Sequence, residues 1–120
     1  MYYPITLADA CHQLELLDAI PRPYGDNEGC AINSDAVYYS LYPQHQKLVT
    51  HAVDMLHRYT RGPGGNEVNT RAVNNLIRRG YRAHLNSDQY YPHRLVGTIH
   101  TENWSIDISD VRSHEEDYDD

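Results

Sequence analysis

The spacing of apolar residues changes at Gly80, and this change constrains the fold more than any other feature of the sequence. Before Gly80 the apolar residues recur every three or four positions, as they do along the buried face of a helix. After it, Tyr81, Ala83 and Leu85 alternate with polar residues, which is typical of a half-buried strand. Helices followed by strands predict an α+β domain with three or four N-terminal helices and a three-stranded antiparallel meander.

Capping and helix-breaking residues divide the helical part of the chain. Thr6 is a good N-cap for the first helix, and Gly80 is expected to terminate the last one. Pro43 either interrupts the second helix or opens a new one at its first turn. The predicted helices cover residues 7–19, a short stretch from about 34, 44–61 and 67–79.

A strand hairpin is expected near the C-terminal end of the domain. The strand candidates are residues 81–86, 93–99 and 104–109. A turn at residues 100–103 joins the last two strands, and with that turn as the centre of the hairpin, residue 96 faces residue 107. On the same register, Asp110 faces His93.

The length of 120 residues fits one domain, which we assign to residues 1–112. Residues 113–120 are acidic and are expected to form a disordered, solvated tail. The sequence has no apolar run of membrane-spanning length and no signal-peptide pattern at its start, so we expect a cytoplasmic protein without membrane contact. Two cysteines in such a compartment are expected to be thiols.

The formal net charge of −7 is unevenly distributed along the chain. Residues 1–57 carry −5 and residues 95–120 carry −7, whereas residues 58–94 carry +5. An acidic chain is not a general nucleic-acid binder, so direct binding to nucleic acid is not expected. The arginine-rich middle is expected to neutralise the acidic ends of the chain, and an anionic partner is the alternative.

Cys30 gives the most specific catalytic hypothesis. It follows Gly29 in a polar loop and precedes a predicted helix, where N–H groups and the helix dipole favour a thiolate. A thiolate nucleophile needs a histidine to move the proton and a carboxylate to orient that histidine. His93 and Asp107 lie in neighbouring predicted strands, about three residues out of direct register. The alternative is that Cys30 is an ordinary loop thiol.

Four short segments share the order of a known catalytic core, namely residues 29–34, 76–83, 93–96 and 104–109. Together they span residues 28–110 and resemble the core of papain-like and transglutaminase-like cysteine enzymes. The resemblance implies that Cys30 is the nucleophile, His93 the general base and acid, and Asp107 the orienting carboxylate. It implies acyl transfer or amide hydrolysis on a protein substrate, of deamidase, transglutaminase or peptidase type, with no cofactor. The chain departs from the family at Ile108-Ser109, where the family has Pro-Thr.

Binding without catalysis is the alternative function. Such a chain would bind and inhibit a protein partner, in the manner of phage-encoded anti-restriction or anti-CRISPR proteins and DNA mimics. Carboxylates in a tail imitate DNA phosphates in kind, and exposed tyrosines suit a protein interface. The candidate residues are Glu115, Glu116, Asp117, Asp119 and Asp120 in the tail, together with Tyr2, Tyr3, Tyr90 and Tyr91.

The sequence also raises two other kinds of site. The last two helices and the strands after them fit a winged helix-turn-helix, although a Pro-Gly-Gly turn and acidic flanks oppose it. Eight histidines suggest a metal, but their spacings match no metal-binding motif, so no metal site is predicted. The residues that would face DNA in the winged helix are Arg71, Asn74, Asn75, Arg78 and Arg79.

Overall fold

The computed structural model describes residues 4–22, 29–62, 67–91 and 94–109. In these residues four helices precede a three-stranded antiparallel sheet, which confirms the predicted α+β class and the order of its elements. The helices are α1 (Leu7–Asp18), α2 (Asp35–Tyr38), α3 (Pro43–Thr60) and α4 (Thr70–Arg78). The strands are β1 (Arg82–Ser87), β2 (Leu95–His100) and β3 (Ser105–Asp107), in that spatial order. Residues 113–120, the predicted tail, lie outside the described residues.

Local capping explains where α1 and α3 begin. The Thr6 hydroxyl accepts the Asp9 N–H at 3.1 Å, and the Asp9 carboxylate accepts the Thr6 N–H at 3.0 Å, so the two residues form a capping box. The backbone and side-chain hydrogen bonds from Thr6 lower the pKa of Asp9. Pro43 occupies the first turn of α3, and it therefore opens a new helix rather than interrupting α2.

Helix α4 begins three residues later than its apolar spacing predicts. Val68 forms an antiparallel bridge with Arg61, and the Asn69 N–H donates to the Thr60 carbonyl at 2.7 Å. Asn69 then caps α4 by accepting the Ala72 N–H at 3.2 Å. The prediction of helix over 67–69 is wrong because the backbone of this segment pairs with the end of α3 and not with its own next turn.

A single core lies between the helices and one face of the sheet. Trp104 joins this core and donates its indole N–H to the Ile20 carbonyl at 2.8 Å, so its one polar atom is satisfied. Cys11 is buried on the apolar face of α1, as predicted for a small hydrophobic residue. The fully buried leucines and isoleucines are Leu14, Leu17, Ile32, Leu56, Leu76, Leu95, Ile99, Ile106 and Ile108.

The hairpin between β2 and β3 has a different register from the predicted one. Thr98 pairs with Asp107, whereas the predicted turn places residue 96 there. The turn starts one residue later than predicted, since the Thr101 N–H donates to the Trp104 carbonyl at 2.8 Å. The Trp104 N–H in turn donates to the Thr101 hydroxyl at 3.0 Å, so a side chain of the turn fixes the register.

Residues 31–33, here called the edge segment, extend the sheet beyond β3. Ala31 forms a parallel bridge with Ser105, and the Ile32 N–H donates to the Ser105 carbonyl at 2.8 Å. Asn33 continues the pairing with its side chain, which accepts the Asp107 N–H at 2.9 Å and donates to the Asp107 carbonyl at 2.7 Å. One buried amide therefore takes the place of a strand partner for Asp107.

In the described part of the chain, no helix has the length and apolar content needed to cross a membrane.

Candidate functional site

Cys30 lies directly before the edge segment. The first residue of α2 is Asp35, so four residues separate Cys30 from the start of that helix. Cys30 is partly buried and packs against the hydrophobic core. The structure therefore surrounds this thiol with a sheet edge and apolar side chains.

Cys30 and Asp107 lie on different faces of the sheet. Ala31 pairs with Ser105, and because side chains alternate along a strand, Ala31, Ser105 and Asp107 share the outer face, which points away from the core. Cys30, one residue earlier, points to the core side. Cys30 is also three positions before Asn33, the residue beside Asp107, and a turn closed by the Ser34 N–H and the Ala31 carbonyl lies at this point of the chain.

The third member of the predicted triad, His93, lies outside the described residues. The carboxylate of Asp107 accepts the Ser109 N–H at 2.9 Å, which closes a turn at the end of β3. The described contacts of Asp107 are thus those of a residue that ends a strand. The arrangement of Cys30, His93 and Asp107 stays a prediction.

Two histidines lie together on the outer face of the sheet. The His84 and His100 rings have centroids 5.9 Å apart, and the Thr98 hydroxyl is 3.2 Å from Nε2 of His100. Burial lowers the pKa of His100, and the charges of Arg82 and His84 lower it further. In the described residues no group of three or more His, Cys, Asp or Glu side chains is placed to hold a metal ion.

The junction of α2 and α3 carries a cluster that the sequence reasoning missed. We call it the aromatic corner and define it as Tyr38, Tyr39, Tyr42 and His45. Tyr39 is 62% exposed and Tyr42 is 67% exposed. Tyr39 meets the Tyr38 ring edge-on at 5.2 Å, and Tyr42 meets the His45 ring at 5.9 Å.

Hydrogen bonds fix the backbone of the aromatic corner. The Gln46 side chain donates to the carbonyls of Tyr38 and Leu41, at 3.0 and 3.2 Å. The Tyr38 hydroxyl lies 2.9 Å from the Thr50 hydroxyl, and the Leu41 side chain is buried in the core. The corner therefore presents two exposed rings on a fixed support.

A sequence signal for the corner existed. The apolar spacing through Val37, Tyr38 and Leu41 leaves Tyr39 and Tyr42 off the buried face. Residues 36–46 also contain no Asp, Glu, Lys or Arg, and exposed charged residues, Asp35 and Lys47, flank this segment on both sides. Aromatic residues are enriched at the cores of protein interfaces.

The residues of the alternative binding hypothesis are placed unevenly. Tyr90 and Tyr91 are 79% and 56% exposed, at the tip of the hairpin between β1 and β2. The Asp88 carboxylate accepts both of their N–H groups, at 2.8 and 3.3 Å, and so shapes this tip. The tail acids Glu115, Glu116, Asp117, Asp119 and Asp120 lie outside the described residues.

The arginine and asparagine residues predicted to face DNA lie largely on one side of α4. Arg71, Asn74, Asn75 and Arg78 recur at helical spacing, opposite the buried residues of the same helix. Arg79, the fifth, is exposed at the C-cap. Nine residues connect α3 to α4, whereas a helix-turn-helix uses three or four.

No protein-family model, no curated protein and no solved structure matches this chain. A function for it therefore rests on its own side chains. Several surfaces in the described residues offer chemistry, among them the partly buried thiol of Cys30, the aromatic corner and the polar side of α4.

Proposed function

We propose that this chain is a non-catalytic binding protein that docks a protein partner through the aromatic corner. The observation that carries the proposal is the pair of exposed rings, Tyr39 and Tyr42, at 62% and 67% exposure on a fixed backbone. Tyrosine is enriched among the few residues that supply most of the binding energy at protein interfaces.

The fixed support makes these rings effective anchors. A tyrosine side chain has only two rotatable χ angles, so it buries a large area at a small cost in conformational entropy. The backbone of the corner is already held by Gln46 and by the buried Leu41, so little ordering remains to be done on binding.

The corner also specifies the chemistry of the partner. Its rings are apolar with a hydroxyl at the end, and residues 36–46 carry no formal charge. A complementary protein surface has two apolar pockets with hydrogen-bonding groups at their outer rim.

The surroundings of Cys30 support binding over catalysis. Its side chain packs against the core, whereas Asp107 lies on the outer face and closes a turn with Ser109. The described residues also carry nine acidic and nine basic side chains. The net negative charge therefore belongs to residues 23–28 and 110–120, so the described residues offer no excess of carboxylates for DNA mimicry.

The test compares two pairs of exposed tyrosines. The full chain and the variants Y39A/Y42A, Y90A/Y91A and C30A are used to capture partners from cells of the source organism. The captured partner is then purified, and its affinity for each chain is measured by calorimetry. We expect the Y39A/Y42A variant to bind about 100-fold more weakly, the scale of two hot-spot truncations, and the other two variants to bind as the wild type does.

Two outcomes would overturn the proposal. One is a partner that binds Y39A/Y42A as tightly as the wild type. The other is that neither the wild type nor any of the variants captures a protein at micromolar concentration. Circular dichroism of each variant separates loss of binding from loss of fold.

A cysteine-dependent acyl transfer or amide hydrolysis is the second candidate function. The observation that favours it is the partial exposure of Cys30 next to Gly29, whose φ of 88° turns the chain at this point. The test is the rate of iodoacetamide alkylation against pH. A catalytic thiol reacts faster than free glutathione below pH 7, and H93A removes that advantage. A structural thiol reacts more slowly than glutathione, and H93A changes nothing.

A further inference from the structure

The outer side of α4 is a polar surface without an assigned role. Arg71, Asn74 and Arg78 are exposed along it and Asn75 is half-buried, and we call these four residues the arginine stripe. The opposite side of the helix is buried through Ala72, Val73 and Leu76. The stripe is therefore held outward by core packing on its reverse side.

The stripe lies in the most basic stretch of the chain. Residues 70–87 contain four arginines and neither Asp nor Glu. Within the described residues, none of these four guanidinium groups lies within 4.0 Å of a carboxylate. By contrast, Arg58 on α3 pairs with Asp54 at 3.8 Å. The Arg58–Asp54 pair meets in part the expectation that the arginines neutralise acids of their own chain, but within the described residues the four arginines of residues 70–87 make no such contact.

We infer that the arginine stripe binds duplex nucleic acid, in addition to the protein-binding role of the aromatic corner. A single helix fits the major groove of a duplex. Arginine pairs with guanine edges and with phosphates, and asparagine pairs with adenine edges. Arg71 and Arg78 are seven residues apart, about 10 Å along the helix axis, which matches the rise of about three base pairs.

Charge complementarity selects this occupant. An apolar protein surface would leave both guanidinium groups without partners, whereas phosphates supply acceptors along the whole length of the stripe. The described residues carry equal numbers of acidic and basic side chains, so they do not as a whole repel a polyanion. Residues 110–120 carry six acidic side chains and one arginine, and they are the competing occupant within the chain itself.

The test is fluorescence anisotropy with a 20-base-pair DNA duplex, titrated with the full chain at salt concentrations from 50 to 200 mM. The variant R71A/R78A removes two positive charges from the stripe. The matched control K47A/R58A removes two from α3, on another part of the surface. We expect R71A/R78A to weaken binding about tenfold or more and to reduce the slope of log K against log salt by about 1.8, at 0.9 per phosphate contact. The control is expected to change the affinity less than threefold.

A second variant deals with the acidic tail. It replaces Glu115, Glu116, Asp117, Asp119 and Asp120 by the corresponding amides in the full chain. We expect this variant to bind the duplex more tightly than the wild type does, because it removes five negative charges that compete with or repel the phosphates. If adding R71A/R78A to the neutralised-tail variant abolishes its tighter binding, the DNA contact lies on the arginine stripe.

Three results would overturn the inference. The first is that neither the wild type nor the neutralised-tail variant binds the duplex at 50 mM salt. The second is that R71A/R78A and K47A/R58A weaken binding equally. The third is that the chain binds polyglutamate as tightly as it binds the duplex. The variant Y39A/Y42A is expected to bind the duplex as the wild type does. This variant separates the two proposals, because duplex binding by Y39A/Y42A tests the arginine stripe independently of the aromatic corner.

Discussion

The two edges of the sheet satisfy their backbone groups in different ways. At the β3 edge, the edge segment and the side chain of Asn33 take up the hydrogen bonds of Ser105 and Asp107. At the β1 edge, Arg82, His84 and Asn86 are exposed, and no described segment pairs with β1 beyond β2. A charged residue on an open strand edge opposes pairing with another chain.

The closed edge is also tied to the end of α1. The Asp18 carboxylate accepts the Thr101 hydroxyl at 2.6 Å and the Asn103 N–H at 2.8 Å. Arg22 donates to the Asn103 carbonyl at 2.6 Å, and its guanidinium carbon lies 4.4 Å from the centre of the Trp104 ring. The predicted catalytic residue Asp107 therefore lies in the most constrained part of the sheet. The open edge has no strand partner, and its charged residue opposes pairing with another chain.

The largest effect is expected from a change between the two edges, at Gly97 in β2. Its φ is +139°, and a Cβ there would lie 2.8 Å from the Leu85 Cα and overlap the His84 carbonyl oxygen of β1. We expect G97A to lower the free energy of unfolding by about 4 kcal/mol, from backbone strain and overpacking together. Urea unfolding measures the loss.

Amide hydrogen exchange in G97A shows which edge opens. Because the clash is with β1, we expect the β1 amides to exchange faster while the Asp107 amide, held by Asn33, stays protected. The neighbouring change T98A, which adds no atom, is the control and is expected to cost less than about 1 kcal/mol. Equal exchange at both edges would contradict the difference between them.

The second effect concerns the closed edge itself. Asn33 is 4% exposed and makes both hydrogen bonds to the backbone of Asp107. We expect N33A to cost about 2 kcal/mol of unfolding free energy, since it leaves a partly buried N–H and carbonyl of Asp107 without their side-chain partner. N33D retains the acceptor but buries a carboxylate oxygen against the Asp107 carbonyl, so we expect it to cost at least as much as N33A.

The matched control for N33A lies on the open edge. N86A removes the same side chain from an exposed position on β1, and its effect is expected to stay within about 0.5 kcal/mol. Chemical denaturation of the two variants under the same conditions gives the comparison. If the two variants lose the same stability, the closed edge is no more constrained than the open one.

The pair formed by Asn33 and Asp107 marks the limit of what the sequence predicts. Apolar spacing and capping residues located α1 and α3 to within about a residue at each end, because the forces that decide them act within a few positions. The same reasoning gave no sign of the contact between Asn33 and Asp107. The two residues are 74 positions apart, and no local pattern encodes a contact of that length.

The candidate surfaces divide in the same way. The side chains of α4 that form the arginine stripe followed directly from helical spacing, and the exposure of Tyr39 and Tyr42 could have been derived from it. The relation of Cys30 to Asp107 depended on the strand register and on a parallel contact between distant segments. A turn one residue later than predicted was enough to change which residue faces Asp107.

A smaller effect is expected at the anchor between α1 and the closed edge. R22A removes the hydrogen bond to the Asn103 carbonyl and the contact with the Trp104 ring. Because Arg22 is exposed, we expect R22A to lower the free energy of unfolding by about 1 kcal/mol. The fluorescence of Trp104 during thermal unfolding measures this loss. R22K retains the charge but not the planar contact with the Trp104 ring. Its free energy of unfolding is expected to lie between those of R22A and the wild type. R82A, on the open edge, is the control; a loss as large as that of R22A would remove the distinction.

The smallest effect is a change in the titration of His100, which lies in the central strand β2 opposite Arg82 of the open edge. Burial is the main cause of the lowered pKa of His100, and Arg82 is the second. We therefore expect R82Q to raise the pKa of His100 towards, but not up to, its ordinary value of 6.5, as measured by NMR of the imidazole ring. R22Q, at the closed edge, is expected to leave this pKa unchanged.

The sign of the associated stability change follows from the lowered pKa of folded His100. The unfolded chain takes up this proton at a higher pH than the folded chain does, so protonation favours unfolding. The stability from neutral His100 is fully present above the unfolded pKa of about 6.5 and is lost as the pH falls towards the folded pKa. R82Q narrows that pH window by bringing the two pKa values together. A folded pKa of His100 that falls or stays constant in R82Q would mean that the Arg82 charge does not reach the outer face of the sheet.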